Sequence, residues 1–536
     1  MSANSEISSF DHNASPPRWT FPRVYNAAQD FIERNLTAGR GAKLAYIDDE
    51  GRYSYDELAA RVNRCANLLM DLGIPDESRV MLCLLDTIDY PAMFLGAIKA
   101  GIVPIATNTL LTAKDYEFML GDSQARALVV AEPLLPVFAP LLDRLPKLKH
   151  VIVAGADAHG HRRLADLMQP ASERFAAAAT SPDDMCFWLY TSGSTGMPKG
   201  TVHLHTHMMF TAELYGRGVL GLNETDLCFS AAKLFFAYGL GNSLSFPLAV
   251  GATTILMGER PTPQSVYRRL VEHKPTVFYG VPTLYAAMLA AAEIPDRAAL
   301  RLRMSVSAGE ALPADLGRRW RERFGTDILD GLGSTEMTHI YIANRPADVR
   351  YGSSGKPVPG YRIKLLDEHG EPVNPGEIGD LHVAGPSSAL LYWRNRERTK
   401  DTFQGQWTKS GDKYRVDEDG YYLYAGRSDD MLKVSGQYVS PFEIEAALMT
   451  HPDVLEAAVV GVPDDNQLIK PKAYIVLKDA RIGSPQLGET LKEHVKAAVA
   501  QYKYPRWVEF MTELPKTATG KIQRYKLREL ATTRKG

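Results

Sequence analysis

The chain has 536 residues, 45% hydrophobic and 23% charged, with a formal net charge of −2. That length exceeds what one hydrophobic core organises, so two or more domains are expected, and the near-neutral balance speaks against a nucleic-acid binder. No apolar run is long enough to span a bilayer, so no membrane partner is expected. The four cysteines, Cys65, Cys83, Cys186 and Cys228, are far apart and have neither metal-ligand nor redox spacing. They read as structural thiols of a reduced, cytoplasmic protein without a disulfide framework.

Residues 1–20 are polar, carry Pro16 and Pro17, and lack the cationic start and apolar run of a secretory signal; they read as a flexible leader. Ser54-Tyr-Asp-Glu57 has capping-box form, and Leu58, Val62, Cys65 and Leu69 behind it share one helical face. Arg79–Leu85 then reads as a buried strand, Tyr90–Ala100 as a helix and Val103–Ala106 as a strand. Further strands are expected at Leu128–Ala131, Thr253–Met257, Val277–Tyr279, Met304–Ala308 and Asp327–Leu329. Strands alternating with helices predict an α/β fold with largely parallel sheets.

The texture changes after about Gly352. Turn dipeptides crowd together (Asn374-Pro375, Asp419-Gly420, Ser435-Gly436), and the strands Arg362–Leu366 and Asp380–Val383 are short. A small antiparallel or barrel-like subdomain is expected there. Beyond Asp429 the pattern is α+β: a helix near Pro441–Met449, strands at Leu455–Val462 and Lys472–Leu477, an amphipathic helix near Leu491–Tyr502, and a basic tail. The domain boundary is expected at Arg427–Asp430.

The segment Thr191-Ser-Gly-Ser-Thr-Gly-Met-Pro-Lys-Gly200 follows an apolar strand expected at Cys186–Tyr190. It holds four hydroxyls, three glycines and one lysine. Glycines let backbone N–H groups approach an anion, hydroxyls donate to phosphate oxygens, and Lys199 adds a positive charge. Gly200 follows Lys199, so the Walker A pattern does not fit. Ser and Gly content alone suits a surface turn equally well. The ordered array behind a buried strand favours a phosphate cradle.

This loop resembles the signature of the adenylate-forming superfamily, which includes acyl- and aryl-CoA synthetases, beetle luciferases and the adenylation domains of peptide synthetases. Further segments match in the family's order from about residue 20 to residue 530: Ser307-Ala-Gly-Glu-Ala311, Asp330-Gly-Leu-Gly-Ser-Thr-Glu336, Lys409-Ser-Gly-Asp412, Gly426-Arg-Ser-Asp-Asp-Met-Leu-Lys433, Ser435-Gly436 and Pro515-Lys-Thr-Ala-Thr-Gly-Lys521. Each is weak alone; in this order together they are specific.

The resemblance implies a large N-terminal domain, residues 21–428, of stacked sheets and helices plus the barrel-like subdomain, holding the ATP and acid sites. A small mobile α+β domain, residues 429–536, follows, with its hinge at Asp429. The resemblance places Thr191, Ser192, Gly193, Ser194, Thr195 and Lys199 at the phosphates. Gly309, Glu310 and Ala311 fall on the adenine side of the ATP site, which also takes in Asp330, Gly331 and Leu332. Thr335 goes to an α-phosphate oxygen, Asp412 to the ribose hydroxyls and Arg427 to the nucleotide beside the hinge.

Glu336 is implied as the Mg²⁺ ligand, since a carboxylate facing a triphosphate needs a cation between them. Lys521 is implied to bridge the acid and the phosphate during adenylation, where a cation stabilises two anions brought together. The acid is already ionised at neutral pH and needs no general base. Lys433 and Gly436 are implied to form the face presented for the second half-reaction, with glycine leaving room for the pantetheine arm of CoA. The implied small molecules are therefore ATP, Mg²⁺ and coenzyme A. Simpler readings stand beside these roles. Ser334, Thr335 and Glu336 suit a helix N-cap, Asp412 a turn aspartate and Lys521 a solvated side chain.

For the acid, Lys233-Leu-Phe-Phe-Ala-Tyr-Gly-Leu-Gly-Asn242 combines aromatics with small residues. No aspartate stands near Ala237 to hold an α-ammonium group, which argues against an amino acid. Phe236 and Tyr238, with Ala237 and Gly239, suit the walls of a flat apolar site, although a buried helix start reads the same way. Gly333, His339 and Ile340 are placed on the opposite wall. His339 is either a hydrogen-bond partner of the acid or a packing residue. The segments LFFAYGLGN and STEMTHIYIAN most resemble those of benzoate-CoA ligases, which implies benzoate, ATP and CoA giving benzoyl-CoA, AMP and pyrophosphate. Three alternatives remain: a short- or medium-chain fatty acyl-CoA synthetase, an acid-adenylating protein that loads a carrier protein, and a binding or scaffold protein. A homodimer is left open.

Overall fold

The Ser54 hydroxyl accepts the Glu57 N–H at 3.2 Å, and the Glu57 carboxylate accepts the Ser54 N–H at 2.7 Å. This reciprocal cap starts the helix Tyr55–Asp71, which buries Leu58, Val62, Cys65 and Leu69 on one face, as its spacing predicts. The helix belongs to a computed structural model that describes residues 7–15, 17–191, 197–428, 430–434, 437–464, 468–479, 483–499, 503–516 and 522–533.

Two large sheets organise the first two-thirds of the chain. An eight-stranded sheet runs in the order Leu391–Tyr392, Lys199–Leu204, Met185–Thr191, Val103–Ala106, Arg79–Cys83, Ala127–Ala131, His150–Ala154, Arg162–Arg163. A nine-stranded sheet runs Lys356–Pro357, Ile340–Ala343, Ile328–Gly333, Met304–Ala308, Val277–Gly280, Leu227–Ser230, Thr253–Ile255, Leu44–Ile47, Arg52–Ser54. The centres of both are parallel, and antiparallel strands close the ends that carry Lys199 and Ile340. One buried core joins both sheets to the helices Tyr55–Asp71 and Asp89–Lys99; it includes Val80, Val62, Phe94, Val277 and Tyr279. Continuous apolar strands such as Ala127–Ala131 follow from burial on both faces.

The turn-rich region is a five-stranded antiparallel sheet built around the long strand Trp407–Val416, which pairs with Gly379–Ala384, Phe403–Gln404 and Tyr422–Arg427. The C-terminal part is a three-stranded sheet with Val454–Pro463 antiparallel to Ile469–Leu477 and Trp507–Phe510 parallel to the latter. Helices Pro441–Met449, Pro485–Ala498 and Arg524–Thr533 flank it. Residue 429 lies outside the described residues. On one side of it, Ser428 bonds the middle sheet through the Asp380 carboxylate at 2.6 Å. On the other, Asp430 pairs with Arg528 of the C-terminal helix at 2.8 Å.

Part of the expected flexible leader is folded. Ser9–Asp11 pairs with Arg18–Thr20, and the rings of Phe10 and Trp19 sit 6.0 and 5.0 Å from Phe210. Polarity concealed this, because a few aromatics among polar residues suffice to dock a short hairpin. All four cysteines are buried and free. Among the described residues, no helix is long and apolar enough to cross a membrane.

Gly355 stitches the nine-stranded sheet to the middle sheet: its carbonyl accepts the Tyr422 N–H at 2.9 Å. Its φ is +93°, and a Cβ would overlap the Ala343 carbonyl group. Gly376 has a similar φ of +86° but open space around it. Gly355→Ala is therefore expected to cost about 3 kcal/mol or more, and Gly376→Ala about 1 kcal/mol. Thermal melts of the two variants check this; equal shifts would show that backbone conformation alone, without the steric overlap, sets the cost.

Candidate active site

The phosphate loop joins two antiparallel strands, Met185–Thr191 and Lys199–Leu204, whose last pairs are Tyr190 with Gly200 and Thr191 with Lys199. Thr191 and Lys199 therefore face each other at its base. Ser192, Gly193, Ser194 and Thr195 lie outside the described residues. The Lys199 ammonium sits 4.3 Å over the ring of Tyr392. Burial lowers the Lys199 pKa, against an opposing pull from the Glu336 charge.

Glu336 reaches this place from the other sheet. The strand Ile328–Gly333 ends at Ser334, whose hydroxyl accepts the Met337 N–H at 3.3 Å and caps the turn Thr335–Met337. The capping role thus falls to Ser334, and the Glu336 carboxylate is turned elsewhere. The Tyr392 hydroxyl donates to its Oε1 at 2.6 Å, and Oε2 has no hydrogen bond among the described residues.

The next residue but one is strained. Thr338 has φ +67° and ψ −38°, and the His339 N–H donates to the Met337 carbonyl at 2.8 Å. This is a γ-turn of the rare hand, costly for a β-branched residue. Side-chain bonds hold it. The Thr338 hydroxyl lies 3.0 Å from the Ser387 carbonyl and 3.1 Å from His203 Nδ1. The His207 Nδ1 accepts the Leu204 N–H at 3.3 Å and lies 3.2 Å from His203 Nδ1. The proton between the imidazoles is therefore assigned to His203, and the Thr338 hydroxyl is free to donate to Ser387. The chain doubles back so tightly that a Cβ on Gly333 would come within 2.6 Å of the His339 carbonyl oxygen.

The γ-turn delivers His339 to the acid-side segment. Its Nε2 lies 3.1 Å from the Tyr238 carbonyl and 3.2 Å from Asn242 Oδ1. Its Nδ1 is buried with no partner, and burial holds the ring's pKa down to about 3. The ring lies 4.5 Å from Phe246 and 5.5 Å from both Tyr215 and Tyr238. Neither ring nitrogen faces open space, so His339 here ties the two walls together. Phe236 is the residue before the short helix Ala237–Leu240, and the Tyr238 hydroxyl donates to the Val306 carbonyl at 3.0 Å. Gly239 must be glycine, because a Cβ would overlap the Lys233 carbonyl. Ile340 is buried at the start of its strand.

Met304–Ala308 and Ile328–Gly333 run parallel, with Ala308 opposite Gly331, so Gly309, Glu310 and Ala311 leave the sheet at the same edge as Leu332 and Gly333. Loops at the carboxyl ends of parallel strands are the usual place for ligands. Asp330, one turn of pleat below that edge, is buried, and its Oδ1 has no partner among the described residues; burial pushes its carboxyl well above the usual range. Asp412 stands opposite Arg427 on neighbouring strands, and the guanidinium reaches Oδ1 at 3.1 Å. Tyr341 feels both Asp412 and Glu336: after burial, these two charges raise its phenol most. Lys199, Glu336, Asp412 and Arg427 therefore gather on one edge. Lys433 lies on the strand Leu432–Val434, while Asp429, Gly436 and Lys521 lie outside the described residues.

Sequence reasoning did not single out Tyr392, Ser387, His203 or Asn242, and it offered Thr338 only as bulk limiting the acid site's depth. Their partners are distant in the chain, and the only local signal was the unusual bulk of Thr338 at a turn.

Two sheets that bring Lys199, the capped turn carrying Glu336 and the Asp412–Arg427 pair together, followed by a small α+β unit, have the architecture of an adenylate-forming enzyme. Residues 33–393 match the AMP-binding enzyme family, and residues 443–521 match the AMP-binding enzyme C-terminal domain. The chain belongs to the AMP-binding enzyme family. It is 62% identical over 524 residues to a benzoate–CoA ligase of Thauera aromatica, covering 97% of this chain and 99% of that one. It is 50% identical to a 4-hydroxybenzoate–CoA/benzoate–CoA ligase of Rhodopseudomonas palustris, over 95% of this chain and 94% of the relative. A solved benzoate CoA ligase from Burkholderia xenovorans LB400 superposes with a TM-score of 0.89 at 51% identity, covering 94% of this chain and all (100%) of that one. An anthranilate CoA ligase in complex with anthranoyl-AMP superposes with a TM-score of 0.92 at 45% identity, over 95% and 98% of the two chains.

Thr338→Val keeps the shape but removes the hydroxyl, and should weaken the γ-turn by about 1–3 kcal/mol. Acid-dependent pyrophosphate release should fall, and Thr338→Ser should restore it; failure of serine to rescue would assign the loss to packing.

Burial also holds the pKa of His203 at about 3 and of His205 at about 4, like His339 at about 3. These rings are neutral when folded and take up protons on unfolding below pH ~6.5. Their stabilising contribution is complete above that pH and is lost as pH falls towards 3–4. The melting temperature should drop steeply on acidification from pH ~6.5, and less steeply in His339→Phe.

Proposed function

We infer that the chain activates benzoate with ATP and CoA, forming benzoyl-CoA, AMP and pyrophosphate through an acyl-adenylate. The observation that carries this is the convergence of Lys199 and Glu336, from different sheets, on Tyr392, with His339, three residues beyond Glu336, bonded to the Tyr238 carbonyl of the aromatic segment. The likeness to benzoate–CoA ligases over nearly the whole chain supports the same substrate.

In the first half-reaction the benzoate oxygen bonds to the α-phosphorus of ATP while the bond to the pyrophosphate oxygen breaks. Both reactants are anions, so the chain's task is to hold them close and offset their repulsion. Lys199, with Thr191 and the hydroxyls of 192–195, would hold the phosphates. Asp412 would take the ribose, and Gly309–Ala311 the adenine side. Phe236 and Tyr238 would wall the ring and exclude water.

Among the described residues no group of three acidic, His or Cys side chains forms a metal cage. One carboxylate whose Oε2 is unengaged suits Mg²⁺, which commonly uses one or two carboxylates with substrate phosphates and water. Glu336 would hold it, and the ion would supply charge neutralisation at the phosphates. In the second half-reaction the CoA thiolate attacks the carbonyl carbon and AMP leaves. The segment from Lys433 to Gly436 would face the thiol, after the domain beyond residue 429 has turned away the face carrying Lys521. The substrates ATP and CoA suit a cytoplasmic enzyme, and sedimentation would distinguish a homodimer from a monomer.

Pyrophosphate release measured over an acid panel tests the reading. Benzoate should exceed hexanoate by about tenfold or more in kcat/KM, and AMP release should require CoA. Lys521→Ala should abolish adenylate formation yet still convert supplied benzoyl-adenylate to the thioester, and Gly436→Leu should do the reverse. Equal loss of both half-reactions in each variant would sink the two-pose scheme, and preference for hexanoate would sink benzoate.

A further inference from the structure

We propose that Tyr392 is a positioning residue for the metal-binding carboxylate: its phenol pins Glu336 Oε1 so that Oε2 alone is presented to Mg²⁺, while its ring face carries Lys199. The inference rests on reading Glu336 as the magnesium ligand.

Three observations support it. First, the phenol-to-carboxylate bond is short, 2.6 Å, and the ring face lies 4.3 Å from the Lys199 ammonium. One side chain thus touches both charged groups, which lie on different sheets. Second, Tyr392 cannot drift. It sits in an edge strand opposite Thr201; Leu390 N–H bonds the Val202 carbonyl at 2.9 Å and Trp393 N–H bonds the Gly200 carbonyl at 2.7 Å on either side. Its own N–H donates to the Thr399 hydroxyl at 3.1 Å, and Phe403 packs 5.2 Å from its ring. Third, the backbone of the carboxylate is anchored by the same segment, since Ala389 N–H donates to the Glu336 carbonyl at 2.7 Å. A carboxylate with both oxygens free rotates between orientations. With one oxygen fixed to a rigid strand, the other has a single direction, which is how outer partners orient metal ligands.

The phenol and the ring face separate cleanly by mutation. Tyr392→Phe keeps the face for Lys199 and deletes the phenol that bonds Glu336. Tyr392→Leu deletes both. The measurement is Mn²⁺ binding to the ATP-saturated full chain, followed by electron paramagnetic resonance without any acid, alongside calorimetry of ATP without metal. Tyr392→Phe should weaken Mn²⁺ binding about tenfold and leave metal-free ATP binding unchanged; Tyr392→Leu should weaken both. In a Glu336→Gln background, Tyr392→Phe should have no further effect. Wild-type Mn²⁺ affinity in Tyr392→Phe, or an undiminished loss in the Glu336→Gln background, overturns the proposal. Because no acid is present, failure of benzoate turnover leaves this result standing and overturns only the substrate reading.

Discussion

Lys199 stands on the eight-stranded sheet and the Glu336 turn hangs from the nine-stranded one. Their spacing depends on the segment from Ser387 to Trp393, which bonds to both. It adds an edge strand beside Lys199–Leu204 and accepts or donates at Glu336, Met337 and Thr338. On the proposed reading, a site that faces two anions needs its cation and its carboxylate at fixed separation. Each sheet fixes its own group, and a shared strap bonded to both ties the two groups together.

Strain is concentrated beside that strap. The γ-turn at Thr338 is unfavourable by itself, yet it is held by the Ser387 carbonyl and the His203–His207 pair, and by glycine at 333, where the chain approaches itself. The turn sends the Glu336 carboxylate to one side and His339 to the other. His339 then closes onto the Tyr238 carbonyl and Asn242, so the Glu336 turn and the segment Phe236–Gly239 share one connection. Such strain persists only where surrounding bonds over-determine it, and it commonly marks functional sites.

Buried polar groups follow the same logic. The imidazoles of His203, His205 and His339 are neutral because burial penalises their charge, and their hydrogen bonds use neutral rings as joints. These rings are therefore both structural joints and a source of acid sensitivity. Asp330 carries the opposite case: a carboxyl driven towards its neutral form, with one oxygen unpartnered, close to the edge where the loops emerge.

Much was legible from the chain alone. The capping box at Ser54 and the spacing of Leu58, Val62, Cys65 and Leu69 define the helix because its signals are local. Apolar runs bounded by turns gave the buried parallel strands, with ends displaced by a few residues, as at Ile328–Gly333. The segment Thr191–Gly200, Glu336, Asp412 and Arg427 were singled out because their short motifs resemble, in order, those of the adenylate-forming superfamily. The folded hairpin at 9–20 escaped because its stability comes from Phe210, far along the chain. The uncertain standing of His339 had the same origin. Sequence offers the imidazole, and only its neighbours Tyr238 and Asn242 decide that Nε2 turns onto them. By itself, then, the sequence determined most of the elements and the family, since these depend on local pattern and motif order. The tertiary structure alone decided which groups meet: Tyr392 on Glu336, Lys199 over that ring, and Thr338 on Ser387. These contacts span about 50 to 190 positions of chain, and no local propensity encodes them.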